Sequence, residues 1–186
     1  MKRAGALLFG LLLCASIVSA GPAKLGIGAF GGLNIPVVQD DQASGPVFGF
    51  KIRYQLIPIL VIEPNISFTS YGAPDNDEFE FDIDGSSVTA FGIDATLGNQ
   101  VGKMGFKPYF VAGLGFYNQK NDEIDAVFGE VGSKAGISAG FGFGIGFSPQ
   151  IDIDLRGKAH IAGSEGDVSK KSVSITGGLN YYFGAN

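Results

Sequence analysis

The feature that most constrains this chain is a two-residue alternation of apolar with polar or small side chains. In the segment 46–56, Phe48 and Phe50 occupy one set of alternate positions, whereas Lys51 and Arg53 occupy the other. Successive side chains of a β-strand point to opposite faces, so the alternation predicts a strand with one apolar face. The alternating segments are 24–33, 46–56, 59–70, 87–98, 105–117, 134–147, 151–162 and 172–183. The chain is therefore predicted to be all-β, with eight strands.

Glycines at Gly26, Gly28 and Gly31 have the spacing of a loop that holds the phosphates of a dinucleotide. Such a loop must be followed by a helix. Here Pro36 and Pro46 follow, without the 3.6-residue apolar period of a helix. Nucleotide binding is therefore excluded, and these glycines are interpreted as strand positions.

Connections between the predicted strands alternate in length. The long, polar connections are 34–45, 71–86, 118–133 and 163–171, and the short ones lie around Ile57-Pro58, Asn99 to Met104 and Ser148 to Gln150. Outer-membrane barrels have long extracellular loops and short periplasmic turns. The chain is thus predicted to form an eight-stranded antiparallel up-and-down transmembrane β-barrel, with periplasmic termini and extracellular long loops.

The first 20 residues have the pattern of a secretory signal peptide. Lys2 and Arg3 precede an apolar run, and a small-residue cleavage pattern ends at Ala20. We expect residues 1–20 to be removed and residues 21–186 to form one barrel domain. The only cysteine, Cys14, would be lost with the leader, which excludes disulfide and thiol chemistry in the mature protein.

The net charge and hydropathy of the mature chain limit the kinds of partner and of membrane-spanning segment that we expect. Without Lys2 and Arg3, 11 basic residues remain against 18 acidic ones, a net charge of −7. Nucleic acid is therefore not an expected partner. No window after the leader approaches the roughly 18 apolar residues of a membrane helix, so a membrane would be crossed by strands.

The number of large apolar side chains decides which face of the barrel is inside. A soluble, lipocalin-like barrel would bury them, but the interior of eight strands is just filled by side chains. The apolar faces carry more than ten phenylalanines together with many isoleucines and leucines. We therefore expect these faces to point outward into lipid, with glycines and charged residues inside.

The inward-facing positions predict a network of ion pairs and hydrogen bonds in the lumen. Its candidate members are Lys51, Arg53, Glu63, Asp94, Lys107, Asp152, Asp154, Arg156, Lys158 and His160. Five cations face four anions, and buried charges are costly unless they are paired. We expect this network to plug the lumen. The alternative is a narrow passive channel or a ligand-binding barrel.

Two stretches resemble known outer-membrane sequences. The ending TGGLNYYF resembles the signal read by the barrel-assembly machinery, through Thr176, Gly178, Tyr181 and Phe183. The stretch FKPYFVAGLGFY, residues 106–117, is similar to the fifth strand of small barrels of the outer membrane protein A and opacity-protein type. The resemblance implies an outer-membrane barrel that contacts lipid and lipopolysaccharide, and the assembly machinery during biogenesis.

The segment Asp75 to Asp84 holds six acidic residues and no basic one. Its DIDG stretch matches part of a calcium-loop motif. However, position twelve counted from Glu80 is Phe91 instead of the required glutamate, which excludes an EF-hand. Two interpretations stay open: weak binding of divalent cations, such as those that bridge lipopolysaccharide, and a solvated acidic loop.

The single histidine, His160, is the only candidate for a lipid-active enzyme. Such an enzyme would need a serine or a carboxylate beside it, and Asp84, Ser86 and Ser87 are candidates at the same rim. Nothing in the sequence sets that geometry. We therefore predict a non-enzymatic protein without catalytic residues, cofactor or metal, with a structural or surface-interaction role.

Overall fold

A computed structural model describes residues 25–37, 43–71, 87–120, 133–163 and 170–184. The predicted signal peptide (residues 1–20) lies outside the described residues, as do the acidic segment Asp75 to Asp84 and Ser86.

The described chain forms eight strands in a closed barrel. The strands are β1 (Leu25–Pro36), β2 (Gly45–Ile57), β3 (Leu60–Ser70), β4 (Ser87–Leu97), β5 (Gly105–Lys120), β6 (Lys134–Gly146), β7 (Ile151–Ala162) and β8 (Lys170–Tyr182). Each strand pairs antiparallel with the next, and β8 returns to pair with β1. The predicted fold class is therefore confirmed. No helix in the described ranges is long and apolar enough to cross a membrane.

Closure between β1 and β8 leaves none of the eight described strands with an unpaired edge. The register of this pair runs from Gly26 opposite Tyr182 to Pro36 opposite Ser172. In a bilayer core, backbone groups have no water to bind, so only a closed ladder satisfies them. The glycines of β1 are strand residues, which confirms the sequence interpretation.

The outer surface is apolar and the interior is charged, as expected from the alternation. Phe110 and Phe141 pair across β5 and β6 and are 72% and 71% exposed, whereas Arg53 and Glu63 are fully buried. Phe48 is exposed on the outer surface, where it stacks on Phe68 of β3, and it does not enter a central core. This is the reverse of a soluble barrel, and it provides a surface suited to hydrocarbon.

Glycines on the inner face leave room for the large side chains of other strands. A Cβ atom on Gly113 would overlap the carboxylate of Asp94, and one on Gly142 would lie 2.5 Å from the hydroxyl oxygen of Tyr109. Glycines on the inner faces of β5 and β6 therefore leave space for bulky polar groups of the lumen.

Short turns join the strands at one end of the barrel, where β1 begins and β8 ends. The connection between β4 and β5 contains Gly98 and Gly102 with φ of 107° and 73°, a region that side-chain-bearing residues rarely adopt. Gly98 also donates its backbone N–H to the carbonyl of Ile59 in the adjacent turn. We call the end of the barrel with these short turns the turn end, and the opposite end the loop end.

Candidate functional site in the barrel lumen

All ten residues predicted for the lumen lie inside the barrel. They come from β2 (Lys51, Arg53), β3 (Glu63), β4 (Asp94), β5 (Lys107) and β7 (Asp152, Asp154, Arg156, Lys158, His160). Strand β7 contributes half of the set because every second residue from Asp152 to His160 faces inward. Lys158 and His160 are half-buried and the other eight are buried.

Arg156 is the centre of this lumenal network. Its Nη2 lies 2.6 Å from Glu63 Oε2 and 3.3 Å from Asp154 Oδ2, and its Nη1 lies 3.2 Å from Asp94 Oδ2. Its Nε donates to the hydroxyl of Tyr109. One guanidinium thereby joins carboxylates from three strands, a geometry that suits its planar set of donors.

A second arginine, Arg53, contacts the other carboxylate oxygen of Glu63. Arg53 Nε donates to Glu63 Oε1 over 2.8 Å, and its Nη1 lies 3.5 Å from Asp152 Oδ1. The same Nη1 donates to the hydroxyl of Tyr182. Glu63 therefore accepts from both arginines, and its desolvation is offset by two charge-assisted hydrogen bonds.

The three lysines of the network each contact one carboxylate. Lys51 Nζ lies 2.8 Å from Asp154, Lys107 Nζ lies 2.5 Å from Asp152, and Lys158 Nζ lies 2.7 Å from Asp94. All five cations of the lumenal network therefore have an anionic partner. With four carboxylates against them, the set carries a net charge of +1.

Two tyrosines also belong to the network, and the pattern of charged residues alone did not identify them. The hydroxyl of Tyr109 donates to Asp154, and that of Tyr182 donates to Asp152. Alternation along β5 places Tyr109 on the same face as Lys107, and alternation along β8 places Tyr182 on the same face as Thr176; this position is the available signal in the sequence. Each tyrosine hydroxyl also accepts a hydrogen bond from an arginine. The sequence alone did not indicate these bonds, because they depend on how the strands are arranged in the barrel.

His160 binds hydroxyl groups instead of carboxylates. Its Nδ1 lies 3.0 Å from the hydroxyl of Tyr117, and its Nε2 lies 2.9 Å from Ser174 Oγ. Ser87 is not among these hydrogen-bond partners, and Asp84 lies outside the described residues. The parts of the chain that the structure covers contain no group of three or more His, Cys, Asp or Glu residues that could hold a metal ion.

Some buried polar atoms of the interior have no hydrogen-bond partner among the residues that the structure describes. These are Asn34 Oδ1, Arg53 Nη2, both amide atoms of Asn99, and Asn180 Oδ1. A buried donor or acceptor that stays unsatisfied costs about 1–3 kcal/mol. Such atoms mark places where water or a ligand would supply the missing bond.

A cavity of about 210 Å³ occupies the loop end of the lumen. We call it the loop-end cavity; its polar lining includes Asn34, Thr69, Tyr71, Tyr117, His160 and Ser174. Lys51, Arg156 and Lys158 also line it, and they belong to the lumenal network. Burial raises the pKa of Tyr71, which follows β3, while hydrogen bonds from Ser172 and Asn34 act in the opposite direction.

The residues resembling an assembly signal lie on and beside β8. Thr176 is buried in the lumen, whereas Tyr181 and Phe183 are 46% and 44% exposed on the outer surface. The two exposed rings meet edge to face, with centroids 5.3 Å apart. They form an aromatic pair at the turn end.

Comparisons with known proteins agree with this architecture. Neisserial surface protein A has a solved structure that matches with a TM-score of 0.68 and 16% identity, over 88% of this chain and 100% of that one. Outer membrane protein OprG from Pseudomonas aeruginosa matches with a TM-score of 0.50 and 12% identity, over 89% and 99% of the two chains. At these identities the likeness concerns the fold. No curated protein sequence matches the chain.

The family model described as outer membrane protein beta-barrel domain matches residues 5–183. This match spans nearly the whole chain and includes all eight strands. The protein belongs to the outer membrane protein β-barrel domain family, and its location is the outer membrane of a Gram-negative bacterium.

Proposed function

We propose that this protein is a non-enzymatic outer-membrane barrel with a structural or surface-interaction role, and that the lumenal network closes its lumen. The observation that carries the proposal is the 2.6 Å contact between Arg156 on β7 and Glu63 on β3. These strands are four apart in a closed ring of eight, so they form opposite walls. A bridge between opposite walls crosses the barrel axis and obstructs a path for ions.

Energetics favour a bridge that stays closed. The side chains of Arg156 and Glu63 are 8% and 0% exposed. Breaking a buried ion pair costs about 3–5 kcal/mol, and we expect the lower limit here because Arg53 stays with Glu63 and Asp154 stays with Arg156. An eight-stranded interior also has little room for an alternative arrangement of these side chains.

Planar-bilayer conductance of the refolded protein tests the closed lumen. We expect no steady single-channel steps from the wild type. The double variant Arg156→Ala with Glu63→Ala removes the bridge and is expected to conduct, provided that a heat-modifiability gel shift shows it folded. Steady steps from the folded wild type would overturn the proposal.

A narrow passive channel is the second candidate. It is favoured by the loop-end cavity on one side of the bridge and, elsewhere in the described interior, by the unpaired amide atoms of Asn99 and the unpaired Oδ1 of Asn180. Polar groups without partners would stabilise water on either side of a short obstruction. The same conductance measurement distinguishes this candidate from a closed barrel.

The proposed orientation has the loop end outside the cell and both termini in the periplasm. The support is the difference in connection length, since outer-membrane barrels place long loops outside. Protease added to intact cells should then cut within the segments 72–86 and 121–132 and spare the turns. Cleavage at the turn around Lys103 in intact cells would reverse the orientation.

Lipopolysaccharide and divalent cations are proposed partners of the outer surface and of the acidic segment Asp75 to Asp84. The support is the exposed apolar band and the concentration of carboxylates in one segment. Calorimetric titration with calcium tests the second part. An absence of heat at millimolar calcium would leave this segment as a solvated acidic loop.

A non-enzymatic role is supported by the surroundings of His160. A serine, Ser174, does lie beside Nε2 of the histidine, but that serine is buried, and at Nδ1 the hydroxyl of Tyr117 stands where an orienting carboxylate would be needed. This arrangement suits a histidine that holds two strands together. Loss of a lipid-modifying activity in membranes carrying His160→Ala would contradict the proposal.

A further inference from the structure

The loop-end cavity combines a defined volume with a lining rich in neutral hydrogen-bonding groups. Its 210 Å³ would hold roughly seven water molecules at about 30 Å³ each. Hydroxyl groups lie around it on several strands, including those of Thr69, Tyr117 and Ser174. The cavity thus offers donors and acceptors at many angles around a small volume.

Asn34 provides an independent indication that the cavity is built for a ligand. This residue is 8% exposed, and its Nδ2 donates to the hydroxyl of Tyr71 over 2.8 Å. Its Oδ1 accepts no hydrogen bond within the described structure. A buried acceptor in this position needs an O–H or N–H donor, which a simple anion such as sulfate does not supply.

The charged groups beneath the cavity are already engaged. Lys51 contacts Asp154 and Lys158 contacts Asp94, at 2.8 Å and 2.7 Å. An anionic ligand would have to compete with these buried carboxylates. A neutral ligand can leave the pairs intact and bind the surrounding hydroxyl and amide groups.

The cavity also has an apolar wall. Phe30 from β1 lines it near the Lys51 ammonium group, and on the opposing wall Gly92 and Gly115 contribute no side chain at their own positions. A sugar ring presents C–H groups on its faces and hydroxyl groups around its edge, which matches an apolar wall combined with a polar rim.

We propose that the loop-end cavity binds a single neutral sugar ring, or a polyol of that size. This site goes beyond the structural or surface-interaction role described above, because it lies on the loop side of the Arg156–Glu63 bridge and does not require a conducting lumen. Asn34 Oδ1 accepts from a ligand hydroxyl, and the hydroxyl groups of Tyr71 and Ser174 bind at the edge of the ring.

Saturation-transfer NMR on the full barrel in phospholipid nanodiscs tests the site. The lipid must be free of lipopolysaccharide, and glycosidic detergents must be avoided, because both carry sugars that would compete. The probes are D-glucose, D-galactose, N-acetylglucosamine and myo-inositol, with glucuronate, phosphate and sulfate as anionic comparisons.

Three variants identify where the probe binds. Asn34→Leu removes the unpaired acceptor and keeps the branched heavy-atom skeleton of the side chain, and Ala90→Phe places a ring in the cavity. Asn99→Leu is the matched control, because Asn99 is also a buried asparagine with an unpaired amide oxygen but lies in the turn between β4 and β5. A gel shift on heating verifies that each variant is folded.

We expect at least one neutral probe to bind the wild type and the Asn99→Leu variant equally. Binding should be about fivefold weaker in Asn34→Leu, as for the loss of one hydrogen bond, and absent in Ala90→Phe. The proposal would be overturned by equal binding in all variants, by no neutral probe binding at millimolar concentration, or by binding of anions alone. The last result would assign the cavity to anions attracted by Lys134 and Lys171 at its rim.

Discussion

Replacing Arg156 with methionine removes the one side chain that joins three lumenal carboxylates. In the native protein its guanidinium contacts Glu63, Asp154 and Asp94 at 2.6, 3.3 and 3.2 Å. Each carboxylate retains one cation after the change: Arg53 for Glu63, Lys51 for Asp154 and Lys158 for Asp94. The charge of the lumenal network falls from +1 to zero, so no excess of one sign accumulates.

The expected cost follows from this residual pairing. Breaking a buried ion pair typically destabilises a protein by about 3–5 kcal/mol. Because every carboxylate keeps a partner, we expect a loss near the lower limit, about 3 kcal/mol, or roughly a 100-fold change in the unfolding equilibrium. Glu63→Gln should cost more, because it removes the negative charge that two arginines share and turns an amide NH2 group towards one of them.

Unfolding by urea in phospholipid vesicles measures this free energy, followed by the heat-modifiability gel shift and circular dichroism. The chain contains no tryptophan, so the usual fluorescence signal is absent. Lys103→Met is the matched control: it also removes one positive charge, but from an exposed turn, and should change stability by less than about 0.5 kcal/mol. A cost below about 1 kcal/mol for Arg156→Met would mean that the lumenal pairs are screened as surface pairs are.

Further predictions concern packing, the lipid surface and assembly. Gly142→Ala should destabilise by about 1–3 kcal/mol in the same unfolding assay, because its Cβ would press on Tyr109, whereas Gly157→Ala faces open space and should be neutral. Phe141→Arg, in the middle of β6 on the exposed face, should lower the free energy of unfolding in vesicles by about 2–4 kcal/mol, with Phe141→Leu as its control. Phe183→Ala should reduce the amount of folded barrel in cells while leaving refolding of the purified protein unchanged; equal cellular amounts would argue against a role in the assembly signal.

The alternation of residue types was enough to predict the strands and their two faces. A strand has a period of two, so Phe48 and Lys51 had to lie on opposite faces whatever the neighbours of that strand were. The excess of large apolar groups then required an outward apolar face, because eight strands enclose too little volume for them. Both arguments depend on local geometry and volume, which a sequence contains.

Partner identity inside the lumen was decided by the tertiary structure. Arg156 and Glu63 meet because β7 and β3 become opposite walls when β8 pairs with β1. His160 meets Ser174 on the adjacent strand, and Asn34 is left with an unpaired oxygen beside a cavity. Alternation specifies which face of the strand a side chain occupies. The height of that side chain along the barrel axis and its direction across the lumen depend on register and closure, which are properties of all eight strands together.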